Sequence, residues 1–178
     1  MALSPAQLRA RAARLRLLLL DVDGVLTDGT VLISSSGHEA KPFSIRDGAG
    51  IVYAQRAGLE VGLLSGRPSD ATTRRAVELG IKTVIQGGPD KRTLFQKLLA
   101  DKHLEAADVA YMGDDLLDLP VLLAAGISAA PADAVDDVRS RVDWVSGRAG
   151  GHGAVREYIE LLLKARGVWD AELARYLD

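Results

Sequence analysis

Four short apolar runs, each stopped by polar residues and glycine, constrain this chain more than any other feature. They lie at residues 17–20, 61–65, 83–86 and 109–112. The first, Leu17-Leu-Leu-Leu20, is too short to span a membrane and too unbroken for a half-exposed strand, so it reads as a strand buried on both faces. Helical segments follow the runs: from residues 46–50 to about 57, stopped by Gly58; 69–79, stopped by Gly80; 91–103; and 116–125. A strand at 127–130, a helix at 133–140 and a strand at 143–145 continue the alternation. Regular alternation of this kind predicts an α/β fold with a Rossmann-like, doubly wound parallel sheet. Segments 30–33 and 39–45, around the turn Ser34-Ser-Ser-Gly37, predict a β-hairpin flap.

The 178 residues are expected to form one domain, 1–178, with a tail at 167–178. A formal net charge of −2 offers no broad basic field for nucleic acid or an anionic membrane. Without cysteine there is no disulfide, thiolate nucleophile or Cys-based zinc site, and His38, His103 and His152 lack metal-ligand spacing. The N-terminus places basic residues before an apolar run, but that run is too short for a signal peptide and no small-residue cleavage site follows. It reads instead as a first helix with Ser4 as N-cap, Pro5 at the first position and Gln7 closing a capping box, in a cytoplasmic protein.

Carboxyl ends of strands are where ligands bind in such sheets, and here they carry chemistry. Asp21 and Asp23 follow the first run, and Gly24 lets the backbone turn and a ligand approach. Two adjacent acids repel unless a cation compensates, and hard oxygen ligands suit Mg2+. A calcium loop would need an oxygen and a Glu where Val25 and Leu32 stand. The other ends deliver Ser65, Lys91 and Asp114, with Asp115 and Asp118 close behind. Together these are carboxylates for a metal, a carboxylate nucleophile, a hydroxyl donor and a fixed ammonium, the parts that hold a phosphoryl group in line. Ser65 alone also reads as a turn residue. Asp115 and Asp118 are favoured in a helix's first turn regardless of function, which makes Asp114 the better ligand. Lys91 and Arg92 are cations in a first turn, where the dipole disfavours them, so an anionic partner is expected there.

D-V-D-G-V, S-G-R, K-R and G-D-D-L-L-D resemble, in order, the four motifs of the haloacid dehalogenase-like phosphatases. The resemblance implies Asp21 as nucleophile, Asp23 as general acid/base, Ser65 and Lys91 as phosphate holders, and Asp21, Asp114 and the Asp23 backbone carbonyl as Mg2+ ligands. The hairpin and one helix fill the stretch between Asp23 and Ser65, so no cap domain fits. From Leu17 to about Arg166 the chain is similar to the capless 3-deoxy-D-manno-octulosonate 8-phosphate phosphatases, through D-V-D-G-V-L-T-D-G, the R-D-G after the hairpin, G-D-D-L-L-D-L-P and G-G-x-G-A-V-R-E. This implies hydrolysis of that phosphomonoester for lipopolysaccharide synthesis. It also implies substrate contacts at Asp23, Ser44, Ile45, Arg46, Asp47, Gly48, Arg67, Arg75 and Lys91, and a homotetramer in which hairpins associate and a neighbour covers the site.

The apolar residues Val31, Ile33, Phe43 and Ile45 of the hairpin, and Trp169, Leu173, Tyr176 and Leu177 of the tail, are candidates for such contacts. Val52 and His152 stand where the family has arginine, which leaves the exact sugar acid open. A nine-carbon, sialic-acid-type sugar phosphate is the alternative substrate. An inactive oligomerisation module of a sugar nucleotide synthetase is the alternative role, and intact Asp21, Asp23, Lys91 and Asp114 argue against it. A phospho-acceptor receiver domain ranks last, since its acceptor follows a later strand than its acid pair.

Overall fold

Leu17, Leu18, Leu19 and Leu20 form β1 (Leu17–Leu20) and are all fully buried. Successive side chains of a strand point to opposite faces. Accordingly, Leu18 and Leu20 enter one core and Leu17 and Leu19 a second on the other side of the sheet. Burying each leucine stabilises the fold by about 1.5–3 kcal/mol before entropy is counted. The structure, a computed structural model, describes residues 3–88 and 90–177; Pro89, in the turn expected before the 91–103 helix, and residue 178 of the tail lie outside them.

Along the chain, α1 (Pro5–Arg14) precedes β1, and a small hairpin of β2 (Leu32–Ile33) and β3 (Glu39–Ala40) leads to α2 (Ile45–Arg56). Then come β4 (Glu60–Ser65), α3 (Asp70–Glu78), β5 (Thr83–Gln86), α4 (Lys91–Lys102) and β6 (Val109–Met112). The rest is α5 (Leu119–Leu122), β7 (Ile127–Ala130), α6 (Asp136–Arg139), β8 (Trp144–Val145), α7 (Ala154–Ala165) and α8 (Trp169–Ala174). The main sheet runs β5-β4-β1-β6-β7-β8, parallel throughout, with β1 paired to β4 on one side and β6 on the other. The chain moves outward from β1 in one direction and then returns to build the other half. The crevice at β1 and β6, where the order reverses, is where such sheets bind ligands. Helices α1, α2 and α7 cover one face, with Ile51, Tyr158 and Leu162 in its core. Helices α4, α5 and α6 cover the other, around Phe95, Val121 and Val138.

At the N-terminus, Ser4 Oγ accepts from Gln7 N at 3.3 Å while Ser4 N donates to Gln7 Oε1 at 2.9 Å, the capping box expected. Elsewhere the boundaries move. The expected strand 39–45 stops at Ala40, because Pro42 cannot donate to a ladder and Ser44 instead caps α2, accepting from Asp47 N at 3.3 Å. Residues 116–125 yield a 3₁₀ turn at Leu116–Asp118 and only four α-helical residues, since Pro120 near the start of α5 offers no N–H. The 133–140 helix begins at Asp136, because the Asp133 carboxylate is taken by Gly150 N at 2.9 Å.

Two sequence motifs lock together away from the sheet. The N-cap of α7 is Gly153, which has no side chain to satisfy the helix's first N–H groups. Asp47 of α2 does so from outside: its Oδ1 accepts from Arg156 N at 2.7 Å and its Oδ2 from Gly153 N at 3.1 Å. Burial holds the Asp47 carboxyl above its ordinary range, and the Arg156 and Gly153 amides act against that rise. A Cβ at Gly50 would lie 3.0 Å from Arg156 Cδ, so the small residue permits the close approach of α2 to α7.

The tail packs on its own chain. Trp169 meets Tyr53 edge-on at 6.3 Å, Tyr176 meets the same ring at 5.8 Å, and buried Glu172 pairs with Arg56 at 3.3 Å. Leu173, Tyr176 and Leu177 remain exposed. On the hairpin, Leu32 and Ile33 are exposed, as is Ile45 at the start of α2, whereas Val31 and Phe43 are half-buried rather than free, Phe43 against the α2 core.

Because Leu19 is buried in the central strand, Leu19→Ala is expected to cost about 2–5 kcal/mol, through lost transfer energy and a residual cavity. Urea denaturation should show the midpoint falling with an unchanged slope.

Candidate active site

Beyond β1 the chain turns back sharply, with Leu26 N donating to Val22 O at 2.9 Å. Gly24 takes φ +84°, and a Cβ there would stand 2.0 Å from Asp114 Oδ2, so both conformation and space require glycine. A Cβ at Gly150 would lie 1.9 Å from Gly24 O, and Gly151 N donates to Val25 O at 3.0 Å. The G-G of the late motif therefore braces the acid-bearing loop from behind.

At the mouth of β1, the buried Asp21 Oδ1 lies 2.7 Å from Lys91 Nζ. The same ammonium is 2.6 Å from Asp118 Oδ1, which also accepts from Tyr111 OH at 2.5 Å. Asp118 Oδ2 accepts from Asp114 N at 3.0 Å and Asp115 N at 3.2 Å. Asp118 thus fixes both Lys91 and the turn after β6. The cation conflict read at the start of α4 is resolved by Asp21 and Asp118 for Lys91.

Oxygens of Asp21, Asp114 and Asp118 lie within 4.8 Å of one another. Those of Asp118 are already spoken for, which leaves Asp21 and Asp114 to face a cation. Asp114 Oδ1 is buried and has no hydrogen-bond partner among the described residues, as a metal-binding oxygen would be without its ion. Hard carboxylate oxygens fit Mg2+. The electrostatics agree: burial, then Asp118, push the Asp21 carboxyl up to about 7 against the pull of Lys91. Burial, then Asp21 and Asp118, push Asp114 up to about 8. Two carboxylates that resist ionisation side by side need positive charge between them.

Asp23 is more open, its side chain 27 % exposed, with Lys41 Nζ 2.7 Å from Oδ1 and Arg67 Nε 3.6 Å from Oδ2. Ser65 Oγ is engaged in its own turn, donating to Arg67 O at 3.0 Å and accepting from Arg67 N at 3.3 Å. Asp21, Asp23, Ser65, Arg67, Lys91 and Asp114 line one crevice of about 570 Å³.

The remaining predicted contacts lie elsewhere. Arg75 borders a neighbouring hollow of about 740 Å³ between the hairpin and α3, with Glu39, Lys41, Phe43 and Arg74. Its guanidinium donates to Ser44 O at 3.3 Å, pairs with Glu78 at 2.8 Å and sits over Phe43, with Gly48 packed beneath it. Ile45 and Arg46 are exposed at the start of α2. Asp47 points away from the crevice, committed to α7. Sequence reasoning missed Lys41, Glu39 and Tyr111, which lie in strands or beside one with no motif to mark them, and undervalued Asp118.

A haloacid dehalogenase-like hydrolase model matches residues 78–159. Over 165 residues, 93% of this chain and 88% of the relative, the sequence is 44% identical to 3-deoxy-D-manno-octulosonate 8-phosphate phosphatase KdsC of Escherichia coli (strain K12). Among solved structures it is similar to the 3-deoxy-D-manno-octulosonate 8-phosphate phosphatase of Moraxella catarrhalis in complex with magnesium, phosphate and KDO. That match has a TM-score of 0.93 and 37% identity, covering 96% of this chain and 98% of the other. The cobalt-bound enzyme of Haemophilus influenzae gives a TM-score of 0.86 and 39% identity, covering 90% and 94%.

Raised carboxyl values have a consequence for stability. Between the ordinary 3.8 of an unfolded Asp and the folded values of about 7 and about 8, the folded chain binds more protons than the unfolded one. Stability of the metal-free protein is therefore expected to fall as pH rises through that window. Calorimetry in chelator at pH 5 and pH 8 should show a lower melting temperature at pH 8. Mg2+ should restore it, and Asp114→Asn should flatten the pH dependence.

Proposed function

The chain belongs to the 3-deoxy-D-manno-octulosonate 8-phosphate phosphatases, within the haloacid dehalogenase-like hydrolases, and from that premise we propose that it hydrolyses 3-deoxy-D-manno-octulosonate 8-phosphate with Mg2+ as cofactor. The observation that carries this reading is Asp21 held 2.7 Å from Lys91 in the crevice, beside the unpartnered oxygen of Asp114. Asp21 and Asp114 would hold the ion, with the Asp23 backbone carbonyl as third protein ligand. Mg2+ supplies, when bound, the positive charge that lets a carboxylate and a phosphate dianion meet.

In this reading Asp21 is the nucleophile, and Lys91, fixed by Asp118 and Tyr111, favours its ionised form against burial and receives the phosphoryl oxygens. A carboxylate oxygen of Asp21 bonds to phosphorus as the P–O8 bond breaks, and Asp23 protonates the departing sugar oxygen. Water then attacks the aspartyl phosphate, Asp23 takes its proton, and the P–O bond to Asp21 breaks, which frees phosphate and restores both carboxyls. Ser65 would reach the phosphoryl group once its hydroxyl leaves the Arg67 carbonyl. Arg67, beside Asp23 in the crevice, would meet the sugar acid. The product is the sugar acid used for lipopolysaccharide.

Among the described residues no helix is long and apolar enough to cross a membrane. The basic N-terminal segment is a capped helix and the leucines after it a central strand, which supports a cytoplasmic enzyme. Exposed Leu32, Ile33 and Ile45 support a homo-oligomer, most simply the tetramer, built through the hairpins. Light scattering should give four times the chain mass, and Ile33→Glu should lower it; a monomeric wild type would rule this out.

Asp21→Asn is expected to abolish turnover without lowering the melting temperature, because it removes one charge from a repulsive cluster. Asp23→Asn should slow both steps, roughly 10²–10⁴-fold. Rapid-quench trapping of the phosphoenzyme, with steady-state release of phosphate from the octulosonate ester, would check both. Normal turnover of Asp21→Asn would exclude it as nucleophile. Ca2+, which takes more ligands than octahedral Mg2+, should suppress activity.

A further inference from the structure

The hairpin meets two crevice residues, Arg67 and Asp23, through Glu39 of β3 and Lys41 just beyond it. Lys41 follows β3 directly, yet its side chain has no exposed surface, and its Nζ lies 2.7 Å from Asp23 Oδ1. Around this contact four groups of alternating charge close a ring. Lys41 Nζ is 3.8 Å from Glu39 Oε1, Glu39 Oε2 is 2.6 Å from Arg67 Nη1, and Arg67 Nε is 3.6 Å from Asp23 Oδ2. Ser69 Oγ donates to Glu39 Oε1 at 2.6 Å from outside the ring. The ring ties together the loop after β1, the hairpin and the turn after β4, segments joined by no ladder.

A buried ammonium is costly unless paired, so the choice of partner is informative. Glu39 also anchors the hairpin, through Arg67 and Ser69. Lys41 reaches past Glu39 and makes its close contact with Asp23. Beyond that ion pair, Lys41 Nζ and Asp23 Oδ1 are buried with no aligned hydrogen bond among the described residues. Such a contact directs a carboxyl while leaving hydrogen-bonding capacity for a group that enters the crevice.

We propose that Lys41 is a positioning residue: carried by the hairpin, it holds the Asp23 carboxyl at the crevice, so that proton transfer to the leaving oxygen depends on the hairpin being seated. This rests on the reading of Asp23 as acid/base given above. A proton donor must lie within hydrogen-bond reach of the oxygen it serves, about 2.6–3.2 Å, and a misplacement of about 1 Å can cost 10²-fold. The demand depends on the leaving group. When the P–O8 bond of the sugar ester breaks, its electron pair goes to a strongly basic alkoxide that takes the Asp23 proton. Nitrophenolate departs from p-nitrophenyl phosphate without one. A misdirected Asp23 therefore slows the first ester selectively, whereas general damage to the site slows both.

The test is the rapid-quench rate of phosphoryl transfer to the enzyme from each ester, in wild type, Lys41→Met and Glu39→Gln. Lys41→Met should lower the rate on the octulosonate ester about 10–100-fold and that on the nitrophenyl ester by less than about 3-fold, a fraction of the full effect of a general acid. Glu39→Gln, which removes the second partner of Lys41, should give the same selectivity with smaller amplitude, and carries the comparison if Lys41→Met does not fold. Equal losses on both esters, or no loss, would overturn the role of Lys41. A wild type that forms no phosphoenzyme from either ester would overturn the underlying reaction instead.

Discussion

The structure depends on a charge imbalance at the centre of its sheet. Asp21, Asp114 and Asp118 converge at the carboxyl ends of β1 and β6, largely out of water, and one ammonium, Lys91, answers them. The proposed nucleophile and metal ligand cannot both ionise comfortably until a cation joins them, which is why burial and mutual repulsion raise Asp21 and Asp114. A core optimised for stability alone would not assemble such a cluster. The fold tolerates it because the leucines of β1 and the strands on either side are buried on both faces.

Much of what surrounds the cluster keeps these groups where they are. Asp118 spends both oxygens on Lys91, Tyr111 and two backbone amides, and so fixes the ammonium and the metal-facing turn together. Gly24 admits Asp114, Gly150 admits Gly24, and the segment bearing Gly150 leads into α7, whose first amides are satisfied by Asp47. A run of close contacts thus links α2 to the acid-bearing loop. Variants at Gly150 or Asp47 act on the site through this support, since a protein interior transmits displacement rather than absorbing it.

The strands and the principal acids were legible in the sequence because both have strong local signatures: apolar runs that end at Asp21, Ser65 and Gly113-Asp114, with glycines at the turns. Short elements were less legible. Helices expected at 116–125 and 133–140 shrank to four residues each, because Pro120 and the tertiary use of Asp133 override local propensity. Asp47 reads as a substrate contact because it is the acid of the R-D-G motif, and only the spatial meeting of α2 with α7 reveals its partners there. Lys41, Glu39 and Tyr111 carry no sequence signal, since a single polar residue in or beside a strand is ordinary and its ion-pair partner lies on a distant segment.

The two proposed catalytic carboxyls are each matched with a lysine, but from different parts of the fold. Asp21 is held by Lys91, backed by Asp118 and Tyr111, all within the core. Asp23 is held by Lys41, backed by Glu39 and Arg67, on the hairpin and the turn after β4. The division suits the two tasks. A nucleophile must stay in line with the bond it breaks, and its side chain is only 8 % exposed. An acid that becomes a base must give a proton to the sugar and take one from water within a turnover, and the Asp23 side chain is 27 % exposed. Holding the second carboxyl from an element outside the core lets it exchange protons without opening the cluster on which the first depends.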